Sequence, residues 1–326
     1  YRYNKDPELL RKIEGGVESL LAAQQPDGYI GNYAPEAQLT NWDVWGRKYT
    51  MLGLLAYYDL TGDKKALDGT VRLADHLLTQ IPAVRQIERT GIYRGMSSCS
   101  ILEPIMLLYN RTLDEKYLDF ARYIVDRMES ADGPQLIAKA LDGVPVSERF
   151  PLDDPSRGWF VWENGQKAYE MMSMFEGAVE YYRVTGDEYV RRSFMNLYDN
   201  IRRNEITIVG NGGGDQPYHP AVMGEGWDHT AVEQTNPDIT RMMETCVGVT
   251  WMKYCSQYLR LTGDPAAVDY IEKYAYNGLL GAMKPDGKGF SYVNLLNGSK
   301  VTNSGWGTNI DGQPVTCCNL SGPCGL

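Results

Sequence analysis

The chain has 326 residues, with 32 Lys+Arg against 42 Asp+Glu, a net charge of −10, 43% apolar residues and 11% aromatics. That is too apolar and aromatic for disorder, and the acidic excess argues against a nucleic-acid partner, which wants basic patches. No run of about 18 apolar residues offers a membrane span, and six cysteines are too few for a disulfide scaffold.

The N-terminal stretch is already helical in pattern (Leu9, Leu10, Ile13, Val17, Leu20, Leu21) and carries no signal peptide, so the start reads as mid-element. A loop runs from Gln25-Pro26-Asp27-Gly28-Tyr29 to Trp42-Asp43-Val44-Trp45-Gly46-Arg47. Then a faint repeat begins. Four times an apolar helix ends near tyrosine and passes into Thr-x-Asp: Thr61-Gly62-Asp63, Thr112-Leu113-Asp114, Thr185-Gly186-Asp187 and Thr262-Gly263-Asp264. The glycine can close one helix in the left-handed region and the aspartate can cap the next. After the first copy the second helix shows an apolar face of Leu67, Val71, Ala74 and Leu78. The unit is a helical hairpin. Its uneven spacing favours a closed toroid over a solenoid of fixed period.

Between hairpins lie two long loops, 129–165 and 210–237. The glycine run 210–214 lacks the Gly-Lys-Ser/Thr ending of a phosphate loop. From Lys284 the chain changes character: residues 290–294 alternate like a short strand, and the vicinal Cys317-Cys318 pair falls in a loop.

Chemistry concentrates in the cysteines. Only three histidines are present, so a metal site would draw on cysteine or carboxylate. Cys99 and Cys255 sit in apolar helical context and read as core. Cys246 follows Glu244 just ahead of an apolar helix over 247–261. The two side chains can point together only in extended backbone or at the helix's first turn. A disulfide between neighbours such as Cys317 and Cys318 is strained, and co-ligation of a soft metal explains the pair more easily. Three thiolates and one carboxylate would make a tetrahedral zinc site; three ordinary thiols is the competing reading.

The 23 Tyr and 7 Trp against 6 Phe suit a cleft where rings stack and hydrogen-bond. Trp42, Asp43 and Arg47 are candidate sugar contacts, set against a reading as core tryptophans with a surface ion pair. Glu225 and His229 are further pocket candidates. His76, and the methionines Met171, Met172 and Met174, read as structural.

On these residues the chain resembles glycoside hydrolase family 127 and its relatives, which include bacterial β-L-arabinofuranosidases. The resemblance runs over nearly the whole chain: Gln24–Tyr29, Leu55–Tyr58 with Thr61-Gly62-Asp63, Leu102-Glu103-Pro104, and Glu176-Gly177 through Tyr182–Gly186. Its specific part is Glu244-Thr245-Cys246, Phe290 with Tyr292-Val293-Asn294, and Cys317-Cys318. It implies an all-α (α/α)6 barrel with short strands in the loops. It also implies zinc bound by Glu244, Cys246, Cys317 and Cys318, with Cys317 as nucleophile and Glu244 as general acid/base of a retaining hydrolase. Tyr292 resembles a pocket tyrosine and Glu225 a pocket glutamate. The family's pocket histidines align with Tyr49 and Gln166 here, which bears on the sugar accepted.

The expectation is therefore one catalytic barrel over residues 1–326, incomplete at its C-terminal end and without the family's β-sandwich domains. It would act on a β-linked L-arabinofuranoside or a related plant-glycan sugar. An oligosaccharide or glycoside is the expected partner, in the cytoplasm or periplasm of a bacterium. The rivals are an (α/α)6-barrel unsaturated-uronide hydrolase with Asp43 as acid, a non-catalytic glycan-binding barrel with structural zinc, and a solenoid scaffold.

Overall fold

The computed structural model describes residues 1–150, 162, 167–214, 225–235, 242–296, 307–308 and 314–326. Two compact units are distinguished: residues 1–135 with 183–185, and residues 136–182 with 186–326. Gln166 and parts of the two long loops lie outside the described residues.

The first unit holds α1 (Pro7–Ala22), α2 (Asp43–Thr61), α3 (Lys64–Gln80), α4 (Met96–Cys99), α5 (Leu102–Thr112) and α6 (Glu115–Met128). In the first hairpin, α2 ends at Gly62, whose φ of 74° lets its N–H return to Tyr58 O. Asp63 then accepts from Lys65 N at 2.9 Å to start α3. The second hairpin uses the same turn although Leu113 replaces glycine. Leu113 adopts φ 54° and donates to Tyr109 O at 2.7 Å, and Asp114 caps α6. Such a left-handed leucine is strained; the capping bonds on either side hold it in place.

The buried face of α3 differs from the sequence expectation. Ala66, Leu73, Ala74 and Leu77 are buried, while Leu67, Val71 and Leu78 are only half-buried. Two residues that do not count as apolar rotate the face. Gly69 lies so close to Leu21 that a Cβ would meet it at 2.4 Å. Thr70 is fully buried because its hydroxyl donates to Ala66 O at 2.8 Å.

The second unit holds α7 (Leu136–Leu141), α8 (Ala168–Thr185, apart from its last three residues), α9 (Glu188–Asn204), α10 (Thr230–Glu233), α11 (Thr245–Thr262), α12 (Ala266–Lys273), a π-helical turn (Tyr274–Leu279), α13 (Leu280–Ala282) and α14 (Cys317–Gly325). Gly186 and Gly263 close α8 and α11 in the left-handed region. Asp187 then caps α9, and Asp264 accepts from Ala266 N at 3.0 Å at the start of α12. α8 is buried nearly all round from Ala168 to Tyr181, with Met171, Met172 and Met174 in the core as expected. Cys99 and Cys255 are core residues too, each 0% exposed.

Among the described residues, four short strands fall in the connections: β1 (Met242–Glu244), β2 (Val293–Leu295), β3 (Gly307–Thr308) and β4 (Pro314–Val315). β1 and β2 pair antiparallel, with Glu244 opposite Val293. The strand expected at 290–294 thus begins three residues later, because Phe290 instead bridges Met283.

Candidate metal and catalytic centre

Glu244 is both the last residue of β1 and the N-cap of α11. This places Glu244 in extended backbone and Cys246 in the helix's first turn, so the two side chains converge despite their i, i+2 spacing. Pairing with β2 brings Tyr292 alongside: Thr245 N donates to Tyr292 O at 3.1 Å, and the Tyr292 ring packs on Cys246 and Cys318.

The vicinal cysteines do not lie in a loop as expected; they open α14. Thr316 caps that helix, accepting from Asn319 N at 3.2 Å. The helix was hidden in the sequence by Gly322 and Pro323. Gly322 is required where it stands, since a Cβ would meet the Phe290 ring at 2.4 Å.

The four side chains meet. Cys246 Sγ is 3.3 Å from Cys318 Sγ, and Glu244 Oε1 is 3.2 Å from Cys317 Sγ and 3.9 Å from Cys318 Sγ. The four candidate ligand atoms all lie within 4.8 Å of one another. A tetrahedral zinc with Zn–S about 2.3 Å sets its sulfurs about 3.8 Å apart, so the set needs little adjustment to close on the ion. A second observation points the same way: Glu244 Oε2 is buried with no hydrogen-bond partner among the described residues. The donors therefore fit zinc in number, kind and placement.

Electrostatics separates the three thiols. Burial pushes Cys246 and Cys318 well above the ordinary thiol range. Cys317 goes the other way, its sulfur stabilised as thiolate by the Cys246 and Cys318 thiols, by Glu244 and by the Lys167 ammonium. Burial, with the neighbouring Glu225 and Cys317, pushes Glu244 upward. Cys317 is also only half-buried, whereas Cys246 and Cys318 are closed off at 1% and 0% exposure.

Beside this cluster lies a second group. Glu225 accepts from Lys167 Nζ and from the Tyr292 hydroxyl, and all three are buried. Lys167 also faces Glu170 Oε1 at 3.7 Å. Sequence reading missed Lys167 and Glu170. The one available signal was charge just ahead of the methionine-rich stretch Met171–Phe175.

Burial pushes Glu170 up to about 7, opposed by Lys167, and its Oε2 has no partner among the described residues. The folded chain therefore holds a proton here that the unfolded chain releases between 4.5 and about 7. The cost of ionising Glu170 is absent below that window and full above it, ~3 kcal/mol at pH 8. Glu170→Gln is expected to raise the melting temperature at pH 8 and leave it nearly unchanged at pH 4.5. An equal gain at both pH values contradicts this.

Trp42, Asp43 and Arg47 belong to the first unit. Asp43 and Arg47 are 2% and 1% exposed and form an internal brace. Asp43 accepts from the Tyr29 hydroxyl at 2.7 Å, from Leu39 N at 2.8 Å and from Arg47 at 2.6 Å. Arg47 continues to Gln80 at 2.8 Å and to His76 Nδ1 at 3.2 Å, and His76 reaches Asp27. The ion pair is interior, contrary to the surface pair weighed in the sequence. Trp42 is half-buried and edge-on to Trp45 and Tyr93. His229 Nε2 lies 2.9 Å from Ser147 Oγ and 3.2 Å from Glu148.

Known proteins define the class. A GH127 β-L-arabinofuranosidase from Geobacillus stearothermophilus T6 superposes with a TM-score of 0.67 at 23% identity, over 90% of this chain and 46% of that one. An unsaturated glucuronyl hydrolase from Bacillus sp. GL1 superposes with a TM-score of 0.55 at 14% identity, over 87% and 70%. The fold is thus that of the helical-barrel enzymes, a toroid as the uneven hairpin spacing favours and the all-α (α/α)6 barrel that the resemblance implies.

The family described as β-L-arabinofuranosidase, GH127 catalytic domain, matches residues 1–323, and the chain belongs to it. The non-reducing end β-L-arabinofuranosidase of Bifidobacterium longum is 23% identical over 317 residues, which is 90% of this chain and 46% of that protein. The chain spans about half the length of the relatives it matches. No helix among the described residues is long and apolar enough to cross a membrane.

Proposed function

We propose that the chain is the catalytic part of a retaining glycoside hydrolase acting on β-linked L-arabinofuranosides or a related plant-glycan sugar, with Cys317 as nucleophile. The observation that carries this reading is the Cys317 sulfur. It is the one thiol of the cluster with solvent access, and its neighbours favour the thiolate. The sugar is proposed from the relatives, whose names state β-L-arabinofuranosidase.

Glu244, Cys246, Cys317 and Cys318 would hold zinc, which supplies a fixed positive charge that keeps the thiols deprotonated near neutral pH. Cys317 Sγ attacks the anomeric carbon, forming a C–S bond as the glycosidic C–O bond breaks. The leaving oxygen takes a proton from a carboxylic acid. Water then attacks the same carbon, gives its proton to that carboxylate, and the C–S bond breaks to return the thiolate.

The sequence expectation makes Glu244 that acid/base. The placement of Glu244 within the cluster argues against it, and we assign the role to Glu225 instead. A nucleophile and its acid must flank the scissile bond with the anomeric carbon between them, the reactive groups about 5 Å apart in retaining enzymes. Glu244 lies 3.2 Å from Cys317 and shares its ligand set. Glu225 is a separate buried carboxylate, oriented by Lys167 and Tyr292. The rival acid Asp43 has both oxygens engaged by Tyr29, Leu39 and Arg47.

Aryl glycosides of graded leaving-group basicity test this assignment. Glu225→Gln is expected to lose about 10²–10⁴-fold on poor leaving groups, much less on the best, and to keep its zinc. Glu244→Gln is expected to lose zinc. Wild-type turnover in Glu225→Gln across the whole series returns the proton role to Glu244.

A further inference from the structure

Glu205 is a buried carboxylate that the proposed reaction does not use. It follows the last residue of α9, is 0% exposed, and forms no ion pair with a cation among the described residues. Four donors converge on it instead. Oε1 accepts from His229 N at 3.1 Å; Oε2 accepts from Asp228 N at 3.2 Å, Thr230 N at 3.0 Å and Thr230 Oγ1 at 3.1 Å. Three successive amides can face one carboxylate only because the chain turns sharply at His229, a non-glycine residue with φ 52°. Such a conformation persists where surrounding bonds over-determine it.

That turn continues directly from Glu225. Glu225 O accepts from Ala168 N and Gly226 O from Gly214 N, each at 2.9 Å. Trp227 is buried, packed so close to Gly212 that a Cβ there would sit 3.1 Å from the indole. The segment 225–230 is therefore tied at its start by two backbone bonds and at its end by Glu205. The chemistry of the anchor matters: a carboxylate offers four lone-pair sites to four donors, whereas an amide offers two and adds N–H groups that oppose the backbone N–H.

We propose that Glu205 is a positioning residue for the hydrolytic reaction, its carboxylate fixing the 228–230 turn and, through it, the place of the Glu225 carboxylate. This rests on the reading of Glu225 as the proton-transfer group. A displaced acid loses most where the leaving group depends most on protonation, and displacement of about 1 Å costs up to about 10²-fold.

The test uses the full chain loaded with zinc and aryl β-L-arabinofuranosides of graded leaving-group basicity. Glu205→Gln is expected to lower kcat about 10–100-fold on the poorest leaving groups and less than about threefold on the best. KM and zinc content should stay near wild type. Thr230→Val removes one donor and keeps the three amides, so it reports in the same direction, more weakly, should Glu205→Gln fail to fold. A loss equal across all leaving groups, or a lower melting temperature with unchanged kinetics, overturns the proposal. Glu225→Gln is measured in parallel. If it shows no leaving-group dependence, the Glu225 reading fails and this proposal with it. If it does and the Glu205 and Thr230 variants do not, the positioning proposal alone fails.

Discussion

Cys317→Ala is expected to abolish turnover, with kcat down by three or more orders of magnitude on even the best aryl leaving group. The reason lies in how the four cluster residues differ. Cys246 and Cys318 are closed off from solvent, and burial keeps both as thiols in the absence of metal. Glu244 is enclosed at 3% exposure. Cys317 combines access with a stabilised thiolate, and no second nucleophile in the set can take its place. A Cys318→Ala variant assayed in excess zinc, to offset its weakened metal binding, separates the roles, since it removes a sulfur without removing the attacking one. Equal residual activity in both variants would place the chemistry elsewhere.

Zinc should be present at about one ion per chain, and Cys246→Ser or Cys318→Ser should remove it and destabilise the fold. A metal that binds only the folded state contributes ~4 kcal/mol at a thousandfold excess over its Kd. Loss of that contribution lowers the melting temperature by at least about 5 °C in a chain of this size. Without metal, Glu244 Oε2 stays buried and unpaired beside three crowded sulfurs, an arrangement that costs free energy rather than supplying it. Cys255→Ser is the control. Cys255 is a buried cysteine on the same helix, α11, outside the cluster. Its variant should keep full zinc content. Metal content measured after dialysis, with and without chelator, checks each case.

The hairpins were legible because their turns use short-range chemistry: a left-handed residue, a threonine hydroxyl and a capping aspartate within three positions. Even Leu113, which breaks the glycine rule, keeps that geometry. The buried face of α3 was not legible, since Gly69 and Thr70 enter the core for reasons a hydropathy pattern does not count: close approach to Leu21 and a hydroxyl satisfied within the helix. Of the candidate metal cluster, the residue types and the resemblance named the four residues that the fold brings together. Their convergence depends on a β1–β2 pair and a capped α14 joining positions more than 70 residues apart. The Lys167–Glu225–Tyr292 group was half-legible. Glu225 was a pocket candidate from its own stretch of sequence and Tyr292 came from the resemblance, while Lys167 stands ahead of α8 without a motif of its own. Asp43 and Arg47 show the converse, a pattern that suits a sugar cleft yet forms an internal brace through partners spread from Tyr29 to Gln80.

Mass spectrometry of the enzyme quenched during turnover of an activated aryl β-L-arabinofuranoside tests the central claim most directly. The account predicts one pentosyl unit per chain, mapped by peptide analysis to the Cys317 sulfur and absent from Cys317→Ala. A pentosyl unit on a carboxylate, or full turnover in Cys317→Ala, contradicts it.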